Sequence, residues 1–183
     1  MSFQGSDLAL HIEAYKEAGD RLVESISRDR SFQHELILPI SSIYRLYLEL
    51  SLKQLIFLGN QLLTKPFEWK GESSKIAGFP TNHNLNYLIT VCKEVLTQLE
   101  VEFRLQNITD LSFKVLETCI RDFFSMDLTV DPFRYPNNKG GKPFLPDKYY
   151  VNVYQLKETI SRVDVLFFDE ALLALSDILQ QQR

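Results

Sequence analysis

Three charged side chains stand at four-residue steps in the segment YRLYLELSLK: Arg45, Glu49 and Lys53. Because four residues make about one helical turn, all three project from one stripe of a helix that is otherwise mostly apolar. A charge in apolar surroundings costs several kcal/mol unless it is paired. Glu49 can pair with either cation, which leaves the other for a different partner. The alternative is that the three charged side chains pair only with one another, on a solvent-exposed stripe at the rim of the fold.

A histidine stands at the expected start of a later helix, in the segment TNHNLNYLI, where it is residue 83. A positive charge at a helix start opposes the helix dipole, so a neutral imidazole is favoured for His83. The two roles considered for His83 are a structural hydrogen bond and catalysis. The structural hydrogen bond is favoured, because it is the commoner role of a lone histidine.

The segment DPFRYPNNKGGKP, residues 131–143, supplies an arginine in a constrained setting. Pro132 and Pro136 fix the backbone around Arg134 and Tyr135, and the Gly-Gly pair permits a tight turn. The planar fork of an arginine pairs with a carboxylate or a phosphate. The segment therefore presents an arginine whose backbone is restrained by the flanking prolines.

These polar features are expected to meet in one cluster. We expect the 131–143 segment to fold back so that Arg134 reaches Glu49, with Lys53 and His83 close enough to share the cluster. Ligand binding would then be added at the exposed rim through Lys53, His83 and Tyr135.

Composition sets the class of protein. The chain has 183 residues, of which 45% are hydrophobic and 24% charged. This length and balance are those of a soluble globular protein, so we expect residues 1–183 to form a single domain. The start MSFQGSD lacks the basic residues and apolar run of a secretory signal, which predicts a cytoplasmic protein. The most apolar stretch, 36–63, carries three charges and predicts a buried helix, with no membrane contact.

Charge and cysteine usage narrow the function further. A net charge of -4 argues against a general nucleic-acid binder, because non-specific affinity comes from clustered Lys and Arg, so any such contact must be local. The two cysteines, Cys92 and Cys119, each fall on an apolar helical face. We expect both to lie in the core as small hydrophobic residues.

Hydrophobic periodicity predicts an all-α fold of about five helices. The first four are expected at 6–29, 40–63, 85–103 and 111–126, and the fifth begins near residue 152 after a long ordered loop. The candidate N-caps are Ser6 for the first helix, Thr81, Asn82 or Asn84 for the third, and Asn152 for the last. In an up-and-down bundle the two longest loops leave from the same end, which is the candidate functional face.

The order LYLELSLKQLI, NHNLNYLI, PFRYPNNKGGKP and YVNVYQLKETI resembles bacterial proteins of the HEPN superfamily, the higher eukaryotes and prokaryotes nucleotide-binding domain, in its abortive-infection-like group. The resemblance runs from about Ser41 to the C-terminal helix. It implies a HEPN-like helical bundle, frequently homodimeric, that cleaves RNA, binds RNA or a nucleotide, or acts in phage defence or stress. We expect a non-catalytic module that binds a nucleotide, RNA or a partner protein at its polar end. Its binding residues would be Arg45, Glu49, Lys53, His83, Arg134 and Tyr135.

The alternative is a metal-independent HEPN ribonuclease acting as a toxin or defence effector. Ribonucleases of that family carry an arginine, a polar residue, a short spacer and a histidine. Here the comparable stretch is RDRSFQH, which makes Arg28 and His34 the candidate catalytic pair, although it precedes the second helix and no histidine follows His83. Neither a zinc-ligand spacing nor a phosphate-binding glycine loop is present, so no metal and no cofactor are expected.

Overall fold

The computed structural model describes residues 5–26, 36–65, 67, 79–105, 110–125, 141 and 152–181. Side chains are described within these ranges except at 5–7, 110–112, 122–125 and 181. All regular structure in these ranges is helical, and no strand occurs among them. The predicted all-α class is therefore confirmed.

The first two helices match the apolar periodicity. Helix α1 spans Gly5–Ile26 and α2 spans Ile37–Leu62. Ser6, the expected N-cap of α1, thus lies within its first turn. Pro39 lies in the first turn of α2, where the missing backbone N–H costs no helical hydrogen bond.

Helix α2 is buried on more than one face. Ser51, Leu52 and Lys53 are consecutive in the chain and all three are buried. Since each helical residue turns by about 100°, three buried neighbours cover more than half of the helix circumference. This agrees with the expectation of a buried helix. It also means that polar side chains on α2 are withdrawn from water.

Helix α3, Leu85–Phe103, begins and ends where its side chains predict. The Asn84 side chain accepts a hydrogen bond from the Tyr87 backbone N–H, so Asn84 is the N-cap among the three candidates. The apolar stripe of α3 is buried throughout: Leu85, Leu88, Cys92, Val95 and Leu99. Asp110 begins α4, Asp110–Ser125, as expected for an acidic residue in a first turn.

The last helix contains a widened turn that the sequence periodicity did not predict. It comprises α5 (Val153–Val163), a π segment (Asp164–Asp169) and α6 (Glu170–Gln181), which follow one another without a break. The Asn152 side chain accepts from two backbone N–H groups of its first turn, which confirms the expected cap. Counting this run as one, the structure describes the five predicted helices.

Two adjacent aromatic residues of the π segment lie in the core. Phe167 and Phe168 are both buried. A π turn accommodates one extra residue, which keeps Ala171, Leu175 and Ile178 on the buried face that Val163 begins. The ring of Phe167 packs edge-on against Phe113 of α4, at 4.8 Å between centroids.

The chain falls into two compact units. One comprises Met1–Tyr47 and Cys119–Ser161, and the other Leu48–Thr118 and Arg162–Arg183. In the first, the Tyr44 hydroxyl of α2 donates to Asp20 of α1 at 2.7 Å. In the second, α2, α3 and α6 approach closely around Gly59. The single domain expected over residues 1–183 stays a prediction.

Both cysteines and the apolar α2 behave as core elements. Cys92 and Cys119 are fully buried and unpaired with each other, as expected for small hydrophobic residues, and burial raises the pKa of the Cys92 thiol. Among the described helices, none combines the length and apolar character that crossing a membrane requires.

Of the 131–143 segment only Gly141 is described; its φ of 76° is the left-handed conformation that glycine permits.

Candidate functional site

A buried ion pair lies in the middle of α2. Lys53 Nζ donates to Glu49 Oε1 at 3.0 Å, one helical turn apart. The two side chains are only 5% and 4% exposed, respectively. The alternative of a solvent-exposed stripe is therefore wrong for both residues. Lys53 also cannot serve as a contact at an exposed rim, because its side chain is buried.

The chain before α3 brings a histidine to this pair. Phe79 packs against Phe57 of α2, with 5.9 Å between ring centroids, and Pro80 is buried. The Asn82 side chain then accepts from the Asn84 backbone N–H at 2.8 Å. These contacts hold the segment in place just before the helix begins.

His83 lies between the two asparagines and reaches across to α2. Its Nδ1 lies 2.7 Å from Glu49 Oε1, the same oxygen that accepts from Lys53. The His83 side chain is 68% exposed, in contrast to both of its neighbours in the cluster. We call Glu49, Lys53 and His83 the polar cluster: two buried charges with an imidazole at the surface.

The carboxyl of Glu49 is ionised in this setting. Burial by itself raises the pKa of the Glu49 carboxyl, but the hydrogen bonds and positive charges of Lys53 and His83 outweigh burial. The net effect holds the pKa of Glu49 below its ordinary value of 4.5. The carboxylate is thus charged at neutral pH and accepts hydrogen bonds only.

The charge on Glu49 determines which nitrogen of His83 carries a proton. An ionised carboxylate cannot donate, so Nδ1 of His83 must donate to Oε1. The second ring nitrogen, Nε2, is then an acceptor in the neutral ring and a donor in the charged ring. A carboxylate that fixes a histidine tautomer in this way also orients the ring.

This arrangement suits hydrogen bonding to a ligand or the transfer of a proton. The exposed imidazole is the group that a ligand can touch, while Glu49 holds it by a hydrogen bond and Lys53 neutralises Glu49. Within the described ranges, no three His, Cys, Asp or Glu residues come together in a group that could hold a metal ion. The polar cluster offers acid-base and hydrogen-bonding chemistry through the His83 ring.

The other predicted site residues divide into two groups. Arg45 lies on α2 one turn before Glu49 and is half-buried. Arg134 and Tyr135 lie outside the described residues, so their expected contacts with Glu49 and the rim stay predictions. Arg28 and His34, the candidate catalytic pair, also lie outside the described residues.

A second buried polar contact was missed by sequence reasoning. The buried Tyr44 hydroxyl donates to Asp20, which also accepts from Lys16 within α1 at 3.4 Å. Burial, followed by the hydrogen bond and charge of Asp20, raises the pKa of the Tyr44 phenol. The i,i+4 spacing of Lys16 and Asp20 is visible in the sequence, but nothing in the sequence links either residue to Tyr44.

The polar cluster joins side chains from two of the segments that carry the family resemblance, LYLELSLKQLI and NHNLNYLI. Comparisons with protein-family models, with curated proteins and with solved structures found no match to this chain.

Proposed function

We propose that this chain is a non-catalytic HEPN-like module that binds a nucleotide or RNA at the polar cluster, acting as a homodimer in bacterial phage defence or a stress response. One observation carries the proposal: an exposed imidazole is held by a buried carboxylate, which is itself paired with a buried ammonium. The order of the four sequence segments supports the proposed family, and the polar cluster is the proposed place of binding.

The burial of each group assigns its part in binding. Glu49 and Lys53 neutralise each other and are withdrawn from solvent, so they act through the residue that they hold. His83 is the member of the cluster that meets a ligand. Its ring can stack on a base, and its Nε2 can bond a ribose hydroxyl or, when protonated, a phosphate oxygen.

The overall charge favours a local contact over a long electrostatic groove. At a net charge of -4, the chain repels a nucleic-acid backbone at long range. Binding must then depend on hydrogen bonds and stacking at a defined place, as with single nucleotides or short unpaired RNA. We therefore expect weak dependence of affinity on salt.

The affinity for ATP and for a fluorescent single-stranded RNA is measured with the native chain and with the His83→Ala variant. The expected result is binding by the native chain and a loss of about tenfold or more in affinity for the variant, equivalent to about 1.4 kcal/mol. His11→Ala is the matched control, because His11 is exposed on α1. No binding of either probe, or equal binding by the His83 variant, would refute the proposal.

The ribonuclease alternative and the homodimer are tested on the same preparations. The purified protein should leave single-stranded RNA intact in the presence of a chelator. Cleavage that is lost in both Arg28→Ala and His34→Ala would establish the alternative instead. Light scattering at micromolar concentration should give twice the mass of one chain, and a monomeric mass would remove the homodimer from the proposal.

A further inference from the structure

Two side-chain contacts attach the chain before α3 to helix α2, at places about two helical turns apart. The ring of Phe79 packs against Phe57, with 5.9 Å between centroids, and Nδ1 of His83 lies 2.7 Å from Glu49 Oε1. Phe57 follows Glu49 by eight residues, whereas His83 follows Phe79 by four. The segment therefore runs antiparallel to α2. We call residues 79–83 the strap.

The length of the strap matches the distance that it spans. Eight residues of an α-helix rise about 12 Å along its axis. Four residues of fully extended chain reach at most about 13–14 Å. The side chains at both ends bridge the gap between strap and helix, and the backbone between them has little length to spare. The ring contact with Phe57 therefore limits where the ring of His83 can lie.

Local chemistry makes the strap stiff. Pro80 is buried, its ring fixes its own φ, and it disfavours a helical backbone at Phe79. Further along, the Asn82 side chain accepts from the Asn84 backbone N–H at 2.8 Å. A stiff segment passes a displacement at one end to the other. The ring contact at Phe79 and the hydrogen bond at His83 thus depend on each other.

We infer that Phe79 is a positioning residue, whose contact with Phe57 holds Nδ1 of His83 against the Glu49 carboxylate. That hydrogen bond keeps the ring proton on Nδ1 and leaves Nε2 as the acceptor of the neutral ring. Phe79 therefore determines, through the strap, which ring nitrogen a ligand meets. The consequence for ligand binding rests on the proposed function, whereas the position of the proton is a property of the chain without a ligand.

The test is nitrogen NMR of the histidine rings, which distinguishes a protonated ring nitrogen from an unprotonated one. Spectra are recorded at about pH 8.5, where an ordinary histidine ring is neutral, and the His83 signals are assigned by their loss in His83→Ala. In the native chain Nδ1 should carry the proton. In Phe79→Ala the ring should exchange between both neutral tautomers, and Phe79→Tyr, which keeps the aromatic ring, should restore the native spectrum.

A second variant separates this role from a general loss of packing. Phe57→Ala should have the same effect on the His83 spectrum as Phe79→Ala, and the double variant should add nothing, because both substitutions remove one contact. Phe103→Ala is the matched control, since Phe103 is a half-buried phenylalanine at the opposite end of α3. It should leave the His83 tautomer as in the native chain. Circular dichroism checks that each variant keeps its helices.

Two results would overturn the inference. These are a native His83 spectrum in both Phe57→Ala and Phe79→Ala, or an equal change in Phe103→Ala. Affinity for ATP and RNA is measured on the same variants, and Phe79→Ala should weaken binding by up to the tenfold or so expected for His83→Ala. If the native chain binds neither probe, the proposed function fails, while the tautomer still decides whether Phe79 positions His83.

Discussion

Glu49 and His83 are thirty-four residues apart in the chain, yet Oε1 of the first and Nδ1 of the second share a hydrogen bond of 2.7 Å. The same oxygen accepts from Lys53, so one buried atom joins a buried cation to an exposed ring. Removing the carboxylate would disturb both partners at once. The polar cluster is thus a stability element as well as the proposed binding site.

Glu49→Met should lower the free energy of unfolding by about 3–5 kcal/mol, because it leaves the Lys53 ammonium buried without an anion. The double variant Glu49→Met/Lys53→Met should recover most of that loss, since a well-packed apolar pair often replaces a buried ion pair without cost. Urea denaturation measures both values. Glu94→Met, at an exposed position of α3, is the control and should change stability little. A double variant no more stable than Glu49→Met would contradict this interpretation.

The pH dependence of stability should report the same carboxylate. The pKa of Glu49 is lowered in the folded chain, so its stabilisation is complete above its ordinary value of 4.5 and is lost as the pH falls through the lowered value. Between neutral pH and acid, the native chain should therefore lose more stability than Glu49→Met/Lys53→Met. Parallel urea titrations across that range measure the difference. If the free energy of unfolding fell equally with pH in both proteins, Glu49 would not contribute to the acid dependence of stability.

Local features of the helices could be predicted from the sequence. The apolar stripe of α3 and its asparagine cap fix that helix at its predicted bounds, because both signals act within a few residues. The pairing of Glu49 with one of its two flanking cations followed from spacing in the same way. Both signals are independent of tertiary structure.

Features that depend on more distant parts of the chain could not be derived from spacing. His83 was expected near Glu49 in one cluster, but the direct contact between them depends on how residues 79–84 pack against α2. The burial of Lys53 follows from neighbouring helices, which the pattern of α2 alone does not specify. The π segment had one sequence signal, the adjacent Phe167 and Phe168, which interrupts an otherwise regular three-to-four spacing.

Tyr44→Phe should lower the free energy of unfolding by about 1.5–3 kcal/mol at neutral pH, because the phenol donates to the charged Asp20. Burial raises the pKa of Tyr44 above its ordinary value of 10.0, so its stabilisation is complete below that pH and declines as the pH rises further. The difference in the free energy of unfolding between the native chain and Tyr44→Phe should therefore decrease at alkaline pH. Tyr154→Phe, at an exposed position of α5, is the control. Equal stability of native protein and Tyr44→Phe would rule out this contribution.

Gly59→Ala should destabilise the chain even though alanine favours a helix. A Cβ at residue 59 would lie 2.8 Å from Val95 Cγ1 and 3.2 Å from Leu99 Cδ1. Overpacking costs about 1–3 kcal/mol, against about 1 kcal/mol gained in helix propensity, so a net loss of up to about 2 kcal/mol is expected. Thermal or urea unfolding measures it. In the double variant Gly59→Ala/Val95→Ala, the shorter side chain at residue 95 gives the added methyl room. The double variant should therefore lose less stability than the sum of the losses in Gly59→Ala and Val95→Ala. A loss equal to that sum would contradict the close approach.

Arg104→Gly should stabilise the chain, because the C-cap of α3 adopts a left-handed conformation, φ 53° and ψ 39°, that costs a non-glycine residue about 1–2 kcal/mol. Glycine would keep the cap, in which the backbone N–H groups of residues 104 and 105 both donate to the Glu100 carbonyl. Since glycine also makes the unfolded chain more flexible, the net gain should be about 0.5–1 kcal/mol by urea denaturation. Gln98→Gly, at an exposed position inside α3, should have the opposite effect, a loss of about 0.5–1 kcal/mol. If both variants lost stability equally, residue 104 would be behaving as an ordinary helical position and the left-handed cap would not form in solution.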